Sequence, residues 1–306
     1  MDKPRFRGVL PPMITPFMEN GDVDFIAFAE NVEHWNNDHL AGYLVNGSNS
    51  ETAFMNEEEK LKLLRITVEK AAQGRVIVAG TGMESLRETI YFTNLCADAG
   101  AQYALVLTPS YYDSSMDSTA LIDFFTRLAD ASKIPVLIYN VSKFTHINIK
   151  ADAVAKLAKH KNIIGMKDSQ GDVPQLANFK RITDGEDFEI FVGTASAWYS
   201  ALGLDVIAGI HAAANCVPNA CAAVQKAFDA SDFIRARAIY QAVFPLNAAV
   251  TGTFGVAGLK YAAELFGYRG GYVRCPLQPL SENQKTTLRE IVETTKTKLA
   301  ELDCRP

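Results

Sequence analysis

Cysteine is scarce in this sequence. Five cysteines occur in 306 residues, an odd number, and no two of them have C-x-x-C spacing. This pattern argues against a disulfide framework and against a cysteine zinc site. We expect reduced, mostly buried thiols and a cytoplasmic location. The five are Cys96, Cys216, Cys221, Cys275 and Cys304.

An excess of positive charge is also missing. The formal net charge is -5 at pH 7, and the isoelectric point is near 5.6. Neither nucleic acid nor an anionic membrane is therefore expected as a partner. An anionic small molecule would have to be held by a local site and not by the overall field.

Long apolar runs are absent as well. No run approaches the ~20 residues that a membrane-spanning helix needs. The charged start MDKPRFRGVL lacks the apolar segment of a signal peptide. Hydrophobic residues nevertheless make up 48% of the chain and charged residues 21%. This is the composition of a globular protein with a large core.

Short apolar runs alternate with longer segments that have apolar residues at helical spacing. Such alternation predicts parallel strands joined by right-handed crossovers, and eight units predict a closed (β/α)8 TIM barrel over residues 1–217. From residue 218 the pattern is helical without strands, which predicts a C-terminal helical extension, 218–306, packed on the barrel. The eight predicted strands are GVLPPMI, AGYLVNG, RVIVAG, YALVLTP, IPVLIYN, NIIGMKD, FEIFVG and DVIAGI.

An open doubly wound sheet is the competing architecture. It would require a glycine-rich phosphate loop after the first strand. The segment there, TPFMENGD, has no G-x-G-x-x-G pattern, and the later GTGMES is a lone G-x-G. The barrel is therefore favoured.

The active site of such a barrel lies at the carboxyl ends of its strands. The residues there are rich in hydroxyl groups and small side chains, with one lysine and a carboxylate beside it. Metal chemistry needs a cluster of His, Asp and Glu ligands. The five histidines are scattered, and only His211 follows a strand, where a hydrogen-bonded core histidine is the simpler interpretation. No metal is expected, and the G-x-S-x-G and Walker A motifs are absent.

Lys167 ends an apolar strand in the stretch NIIGMKDSQGD. It has either reached solvent at the strand end or lies as a reactive amine in an apolar pocket. Desolvation lowers the pKa of an amine, and a neutral amine can attack a ketone. A nearby tyrosine can move protons, and backbone N–H groups in the 47–49 loop can hold a carboxylate. Position alone leaves both interpretations open.

Four motifs in order, GSNSE, TPSYY, IYNV and IIGMKDS, together with the tail GLKYAAELFGYRGGYVRCPL, resemble those of a known family. The chain resembles the dihydrodipicolinate synthase and N-acetylneuraminate lyase family of class I pyruvate aldolases. The resemblance implies an enzyme whose only cofactor is a covalent imine on Lys167. It implies that Tyr139 shuttles protons and that Ser48 relays them to a tyrosine of a neighbouring subunit, matched by Tyr111.

The resemblance also implies the rest of the pocket. Ser48 and Asn49 would bind the pyruvate carboxylate, while Gly193 and Ile210 would line the pocket near the imine. Family members are commonly homotetramers built from tight dimers, so we expect a homotetramer with a small 2-oxo acid as substrate.

The sequence departs from the family pattern in the stretch YNVSKFT. Ser142 replaces a common proline, and Phe144 occupies the position of the arginine that, in the synthases, receives the carboxylate of aspartate semialdehyde. Lys143 is adjacent to that position. Ser50 replaces the glycine of the carboxylate loop, so the backbone geometry of that loop is not fixed by the resemblance.

Other stretches resemble a subgroup. GMKDSQGDV, with Ser169 as a pocket serine, and the segment before the tail are similar to 4-hydroxy-2-oxoglutarate aldolases, and Phe144 also suits 2-keto-3-deoxy sugar acid aldolases. We therefore predict cleavage of a 4-hydroxy-2-oxo acid to pyruvate and an aldehyde. The alternatives are dihydrodipicolinate synthesis, dehydration of a 2-keto-3-deoxy sugar acid, and non-catalytic binding of a 2-oxo acid. The sequence does not define the aldehyde, the stereochemistry or the pathway.

Overall fold

The computed structural model describes residues 6–306; the first five residues of the charged start lie outside this range. Eight parallel strands form one sheet in the order β1-β8-β7-β6-β5-β4-β3-β2. The predicted TIM barrel is confirmed, and each of the eight predicted runs contains a strand. The strands are β1 (Gly8–Leu10), β2 (Gly42–Val45), β3 (Val76–Gly80), β4 (Tyr103–Leu107), β5 (Val136–Asn140), β6 (Ile163–Asp168), β7 (Glu189–Val192) and β8 (Ala208–Ile210).

The contact that closes the barrel, between β1 and β2, involves fewer paired residues than the other strand pairings. β1 ends at Leu10 because Pro11 and Pro12 have no N–H group for a continued ladder. The Pro11 carbonyl accepts a hydrogen bond from the Leu44 N–H at 3.1 Å, and the Met13 N–H donates to the Leu44 carbonyl at 2.9 Å. These bonds on either side of Pro12 complete the ring.

The interior of the barrel is a packed core. Side chains of alternate strand residues meet there, among them Leu10, Leu44, Leu137 and Ile210. Phe6 closes the amino-terminal end by stacking on Phe191, with ring centroids 4.9 Å apart. A ligand therefore has access to the strands only at their carboxyl ends.

Helices cover the outside of the barrel. Several begin with a side-chain cap, and Asn56 caps the helix Glu57–Lys70 in a capping box with Glu59. The helices are α1 (Phe25–Trp35), α2 (Glu57–Lys70), α3 (Leu86–Asp98), α4 (Ser118–Ala131), α5 (Ser142–Thr145), α6 (Ala151–Leu157), α7 (Val173–Ile182), α8 (Trp198–Leu202), α9 (Pro218–Asp229), α10 (Phe233–Ala248), α11 (Gly255–Leu265) and α12 (Glu282–Glu301).

The chain after β8 is helical, as predicted. α9 packs against β1 and α10, so it occupies the place of the eighth barrel helix, while α10 to α12 lie beyond it. A division into domains at residue 217 stays a prediction. Between α10 and α11 the backbone forms a π-helix over Ala249–Thr253. None of the helices in residues 6–306 combines the length and apolarity needed to cross a membrane.

Gly42 allows β2 to approach β3 closely. A Cβ atom there would lie 2.1 Å from the carbonyl oxygen of Val76. We expect Gly42→Ala to lower the free energy of unfolding by ~1–3 kcal/mol through overpacking, measured by urea denaturation. Gly252→Ala is the control, because a Cβ there meets no heavy atom within 4 Å. Equal unfolding midpoints for the two variants would contradict this account.

Candidate active site

Lys167 and Tyr139 lie side by side on the inner face of the barrel. The register of β5 and β6 pairs these two residues directly. Lys167 is 3% exposed, and its Nζ lies 4.1 Å from the centroid of the Tyr139 ring. The interpretation that Lys167 reaches solvent at the strand end is therefore wrong. The amine is buried against an aromatic face.

The Tyr139 hydroxyl has an environment that favours loss of its proton. Burial alone would raise the pKa of Tyr139, but the Lys167 charge outweighs it together with the hydroxyls of Ser169 and Ser48. The net effect lowers the pKa of Tyr139 below its ordinary value. A phenol with a lowered pKa gives up its proton more readily than an ordinary tyrosine and is suited to proton transfer.

The loop after β2 forms a tight turn in which Ser48 and Asn49 are half-buried. Residues Ser48–Ser50 adopt one turn of 3-10 helix, and Glu51 follows in the left-handed region at φ 58°. The Ser50 hydroxyl donates to the Met13 carbonyl at 2.6 Å, so this serine ties the loop to the end of β1. Ser48 and Tyr139 line a common narrow cavity, with Asn46, Gly47, Thr52, Gly80, Gly82, Leu105 and Leu107.

Gly193 and Ser169 fit together beside the lysine. A Cβ atom at Gly193 would lie 1.9 Å from the Ser169 hydroxyl oxygen, so only glycine leaves room for this side chain. The Ser169 Oγ is buried and makes no hydrogen bond of good geometry with the described residues. It is nevertheless close enough to the Tyr139 hydroxyl to lower the pKa of that group.

Asp168 anchors the two central strands from the outer face, a role that the sequence analysis missed. Its carboxylate accepts hydrogen bonds from Asn140 Nδ2 at 2.7 Å and from Gln175 Nε2 at 2.9 Å. Burial raises the pKa of Asp168, and these donors oppose the shift. Because Asn140 and Asp168 each follow a site residue, this contact fixes Tyr139 relative to Lys167. The adjacent pairs YN and KD are its signal in the sequence.

The remaining predicted residues lie at different depths. Ile210 is fully buried on the inner face. Phe144 lies on the four-residue helix α5 and is 53% exposed, while the Nζ of neighbouring Lys143 donates to the Thr251 carbonyl at 2.6 Å. Tyr111 is 78% exposed. The structure thus brings together Lys167, Tyr139, Ser48, Ser169 and Gly193, whereas Tyr111 and Phe144 face outward.

His211 is buried without the hydrogen bonds that the sequence analysis expected. Its ring packs edge-on against Trp198 with centroids 4.9 Å apart, and neither ring nitrogen has a partner among residues 6–306. The expectation of a satisfied histidine is therefore wrong. Burial, and after it the charge of Lys167, lowers the pKa of His211 to about 3. Gly209 makes room for the ring, since a Cβ there would lie 2.0 Å from Nε2.

The part of the chain that the structure describes contains no group of three His, Cys, Asp or Glu side chains placed to hold a metal ion. The fold and the buried lysine beside a tyrosine define a (β/α)8 barrel equipped for imine chemistry. The sequence profile of the dihydrodipicolinate synthetase family matches residues 5–295, and the chain belongs to that family. It is therefore an enzyme, a class I aldolase that acts on pyruvate, as the motifs predicted.

Curated relatives match along almost the whole chain. A 4-hydroxy-tetrahydrodipicolinate synthase from Methanothrix thermoacetophila is 31% identical over 297 residues, 97% of this chain and 98% of the relative. A protein of the same name from Hyphomonas neptunium is 36% identical over 276 residues, 89% of this chain and 92% of the relative.

Solved structures of this family superpose closely. The 4-hydroxy-tetrahydrodipicolinate synthase of Methylacidiphilum fumariolicum SolV gives a TM-score of 0.91 at 27% identity, covering 98% of this chain and 99% of that one. YagE, an E. coli K12 prophage protein of the dihydrodipicolinic acid synthase family in complex with pyruvate, gives 0.90 at 26% identity, covering 96% and 99%.

Because His211 is buried in its neutral form, we predict that the protein loses stability in acid. Below pH 6.5 the unfolded chain binds a proton that the native ring, with a pKa of about 3, does not. The free energy of unfolding should therefore fall by up to ~1.4 kcal/mol per pH unit on this account. Urea denaturation across this range should give a smaller pH dependence for His211→Phe than for the wild type.

His39→Gln serves as the control for that comparison, because His39 is exposed. It should keep the pH dependence of the wild type. Identical slopes for His211→Phe and the wild type would show that His211 does not have this depressed pKa.

Proposed function

We propose that the protein forms an imine between Lys167 and a 2-oxo acid and uses it to cleave a 4-hydroxy-2-oxo acid to pyruvate and an aldehyde. The observation that carries this proposal is the buried Lys167 amine, 4.1 Å from the Tyr139 ring centroid. The lowered pKa of Tyr139 supports a role in proton transfer.

The reaction begins when the neutral Lys167 amine attacks C2 of the substrate. The carbinolamine loses water with the help of Tyr139, and the protonated imine that forms is an electron sink. The Tyr139 phenolate then takes the proton of the C4 hydroxyl. The C3–C4 bond breaks, the aldehyde leaves, and the electron pair enters an enamine. Protonation at C3 and hydrolysis release pyruvate and restore the amine.

The other groups of the site hold the substrate. In this proposal the backbone N–H groups of Ser48 and Asn49 bind the carboxylate, as a turn of successive N–H groups is suited to do. The free hydroxyl of Ser169 bonds a substrate oxygen, and Ile210 and Gly193 form the wall near the imine. The exposed Tyr111 completes the proton relay of a neighbouring subunit, which requires an oligomer, proposed here as a homotetramer.

Synthesis of 4-hydroxy-tetrahydrodipicolinate from pyruvate and aspartate semialdehyde is the second candidate. The names of the curated relatives favour this alternative over aldol cleavage. Phe144 argues against it, because an apolar ring replaces the family's carboxylate-binding arginine. Lys143 supplies a positive charge one residue away, with its Nζ hydrogen-bonded to Thr251. Both candidates share the imine on Lys167 and differ in the direction of the reaction and in the aldehyde involved.

Borohydride trapping tests the shared step. Incubation with pyruvate and reduction should leave an adduct on the peptide that contains Lys167, detected by peptide mass spectrometry. Lys167→Ala should give no adduct. Lys143→Ala, the matched change of an exposed lysine on α5, should still be trapped. A folded wild-type protein without an adduct would contradict imine chemistry.

The products then identify the reaction. Pyruvate released from 4-hydroxy-2-oxoglutarate or a 2-keto-3-deoxy sugar acid supports cleavage. Conversion of the sugar acid without pyruvate indicates a dehydratase, and consumption of pyruvate only with aspartate semialdehyde indicates the synthase. Either of the last two results would contradict the leading proposal while leaving the imine intact.

Phe144→Arg tests the substrate assignment directly. A guanidinium at this position should raise kcat/KM for condensation with aspartate semialdehyde by at least tenfold, since a hydrogen bond to a charged group contributes ~1.5–3 kcal/mol. Phe144→Met, which removes the ring without adding charge, is the control. A wild-type protein that already condenses the two substrates efficiently, and gains nothing from arginine, would exclude this role for Phe144.

A further inference from the structure

A buried ion pair joins the C-terminal extension to the loop beside the catalytic lysine. Lys260 of α11 places its Nζ 2.5 Å from Glu51 Oε1, and the two side chains are 2% and 1% exposed. Glu51 follows the Ser48–Ser50 turn directly. Lys260 lies 209 residues later in the chain, so the contact is purely tertiary.

The second oxygen of the Glu51 carboxylate is also held by the extension. The backbone N–H of Arg274 donates to Glu51 Oε2 at 2.8 Å. The Arg274 guanidinium binds both oxygens of Glu59 at 2.7 and 2.9 Å and so is fixed to the start of α2. The Phe17 ring contacts both cations, 4.4 Å from Lys260 Nζ and 4.3 Å from Arg274 Cζ.

Glu51 needs this support because its backbone conformation is unfavourable. Its φ of 58° lies in the left-handed region, which is costly for a residue with a side chain. Glu51 ends the turn of Ser48–Ser50 and begins the turn of Thr52–Phe54. Glu51 therefore connects the two turns, and a change in its conformation would displace the Ser48–Ser50 turn that precedes it.

The charges themselves indicate a role in positioning. A well-packed apolar pair is commonly as stable as a buried ion pair, whereas loss of one partner alone is strongly destabilising. Lys260 Nζ also donates to the Tyr272 carbonyl at 2.5 Å, which fixes the amine from a second side. Burial lowers the pKa of Lys260 to about 8, and Glu51 opposes this shift. The carboxylate thus has a directional hydrogen bond at Oε2, from the Arg274 N–H, and a charged neighbour at Oε1, the Lys260 amine.

We infer that Lys260 and Glu51 are positioning residues through which the C-terminal extension holds the Ser48–Asn49 turn in the conformation that binds the substrate carboxylate. The inference rests on the proposed function, because that proposal assigns the carboxylate to this turn. It assigns no chemical step to either residue. Weakening the pair should therefore impair capture of pyruvate and leave the chemistry after capture intact.

The test compares Lys260→Met with Lys285→Met. Both change a lysine of the extension, but Lys285 pairs with Glu282 at the surface. Lys260→Met should raise the pyruvate concentration for half-maximal borohydride trapping about tenfold, with trapping at saturation and kcat within about twofold of the wild type. Lys260→Arg, which keeps the charge, should recover much of the lost affinity, and Lys285→Met should match the wild type.

The double variant Lys260→Met with Glu51→Gln separates positioning from simple stability. This double variant leaves no unpaired buried charge, so its unfolding midpoint should return toward that of the wild type. The pyruvate concentration for half-maximal trapping should stay higher than that of the wild type. A double variant with both wild-type stability and wild-type affinity for pyruvate would overturn the inference.

Hydrogen exchange of the free protein gives a readout that does not depend on imine formation. The amides of residues 47–54 should exchange faster in Lys260→Met than in Lys285→Met or the wild type. Unchanged exchange would overturn the inference even if trapping were impaired. A wild-type protein that is never trapped would instead overturn the proposed function, and the exchange comparison would still decide whether the pair orders the loop.

Discussion

Burial of the Lys167 amine is the constraint on which the rest of the site depends. An amine removed from water is costly unless it is neutral or compensated by its surroundings. The structure provides the face of Tyr139 at 4.1 Å, and such a contact stabilises a desolvated cation by up to ~2 kcal/mol. The same contact lowers the pKa of the Tyr139 hydroxyl. One adjacency thus accommodates the buried amine, the proposed nucleophile, and lowers the pKa of Tyr139, the proposed proton carrier.

The two faces of β6 have different roles in keeping Lys167 next to Tyr139. Lys167 points into the barrel, and the next residue, Asp168, points to the helices, where Asn140 and Gln175 bind its carboxylate. A strand end is otherwise free to fray, so bonds on the outer face keep the inner face in register. Gly193 contributes because it has no side chain, and any side chain there would displace Ser169. The arrangement of the site therefore depends on Asp168 and Gly193 as well as on Lys167 and Tyr139.

Periodicity predicted the fold because the strand and helix patterns are local. The runs IPVLIYN and NIIGMKD have strand character, which placed Tyr139 and Lys167 at the carboxyl ends of two strands. Their roles followed only from the resemblance of the motifs to the family. The contact between Glu51 and Lys260 has no such signal, because ion pairs between distant segments follow no period. His211 was misjudged for a related reason: its lack of partners depends on Trp198 and on space above Gly209. Phe144, which we propose as a selector of the second substrate, lies on a four-residue helix whose direction no pattern specifies.

The pairing of β1 with β8 has a consequence for how the protein is synthesised and folds. β1 pairs in register with β8, and beyond its end Ile14 donates its N–H to Asn215, 201 residues later in the chain. At a synthesis rate of ~5–20 residues per second, the first strand waits roughly 10 to 40 s for these partners. During that time the side of β1 that pairs with β8 is an open apolar edge. Pro11 and Pro12, which end the ladder in the finished barrel, also make this edge a poor template for pairing with another nascent chain.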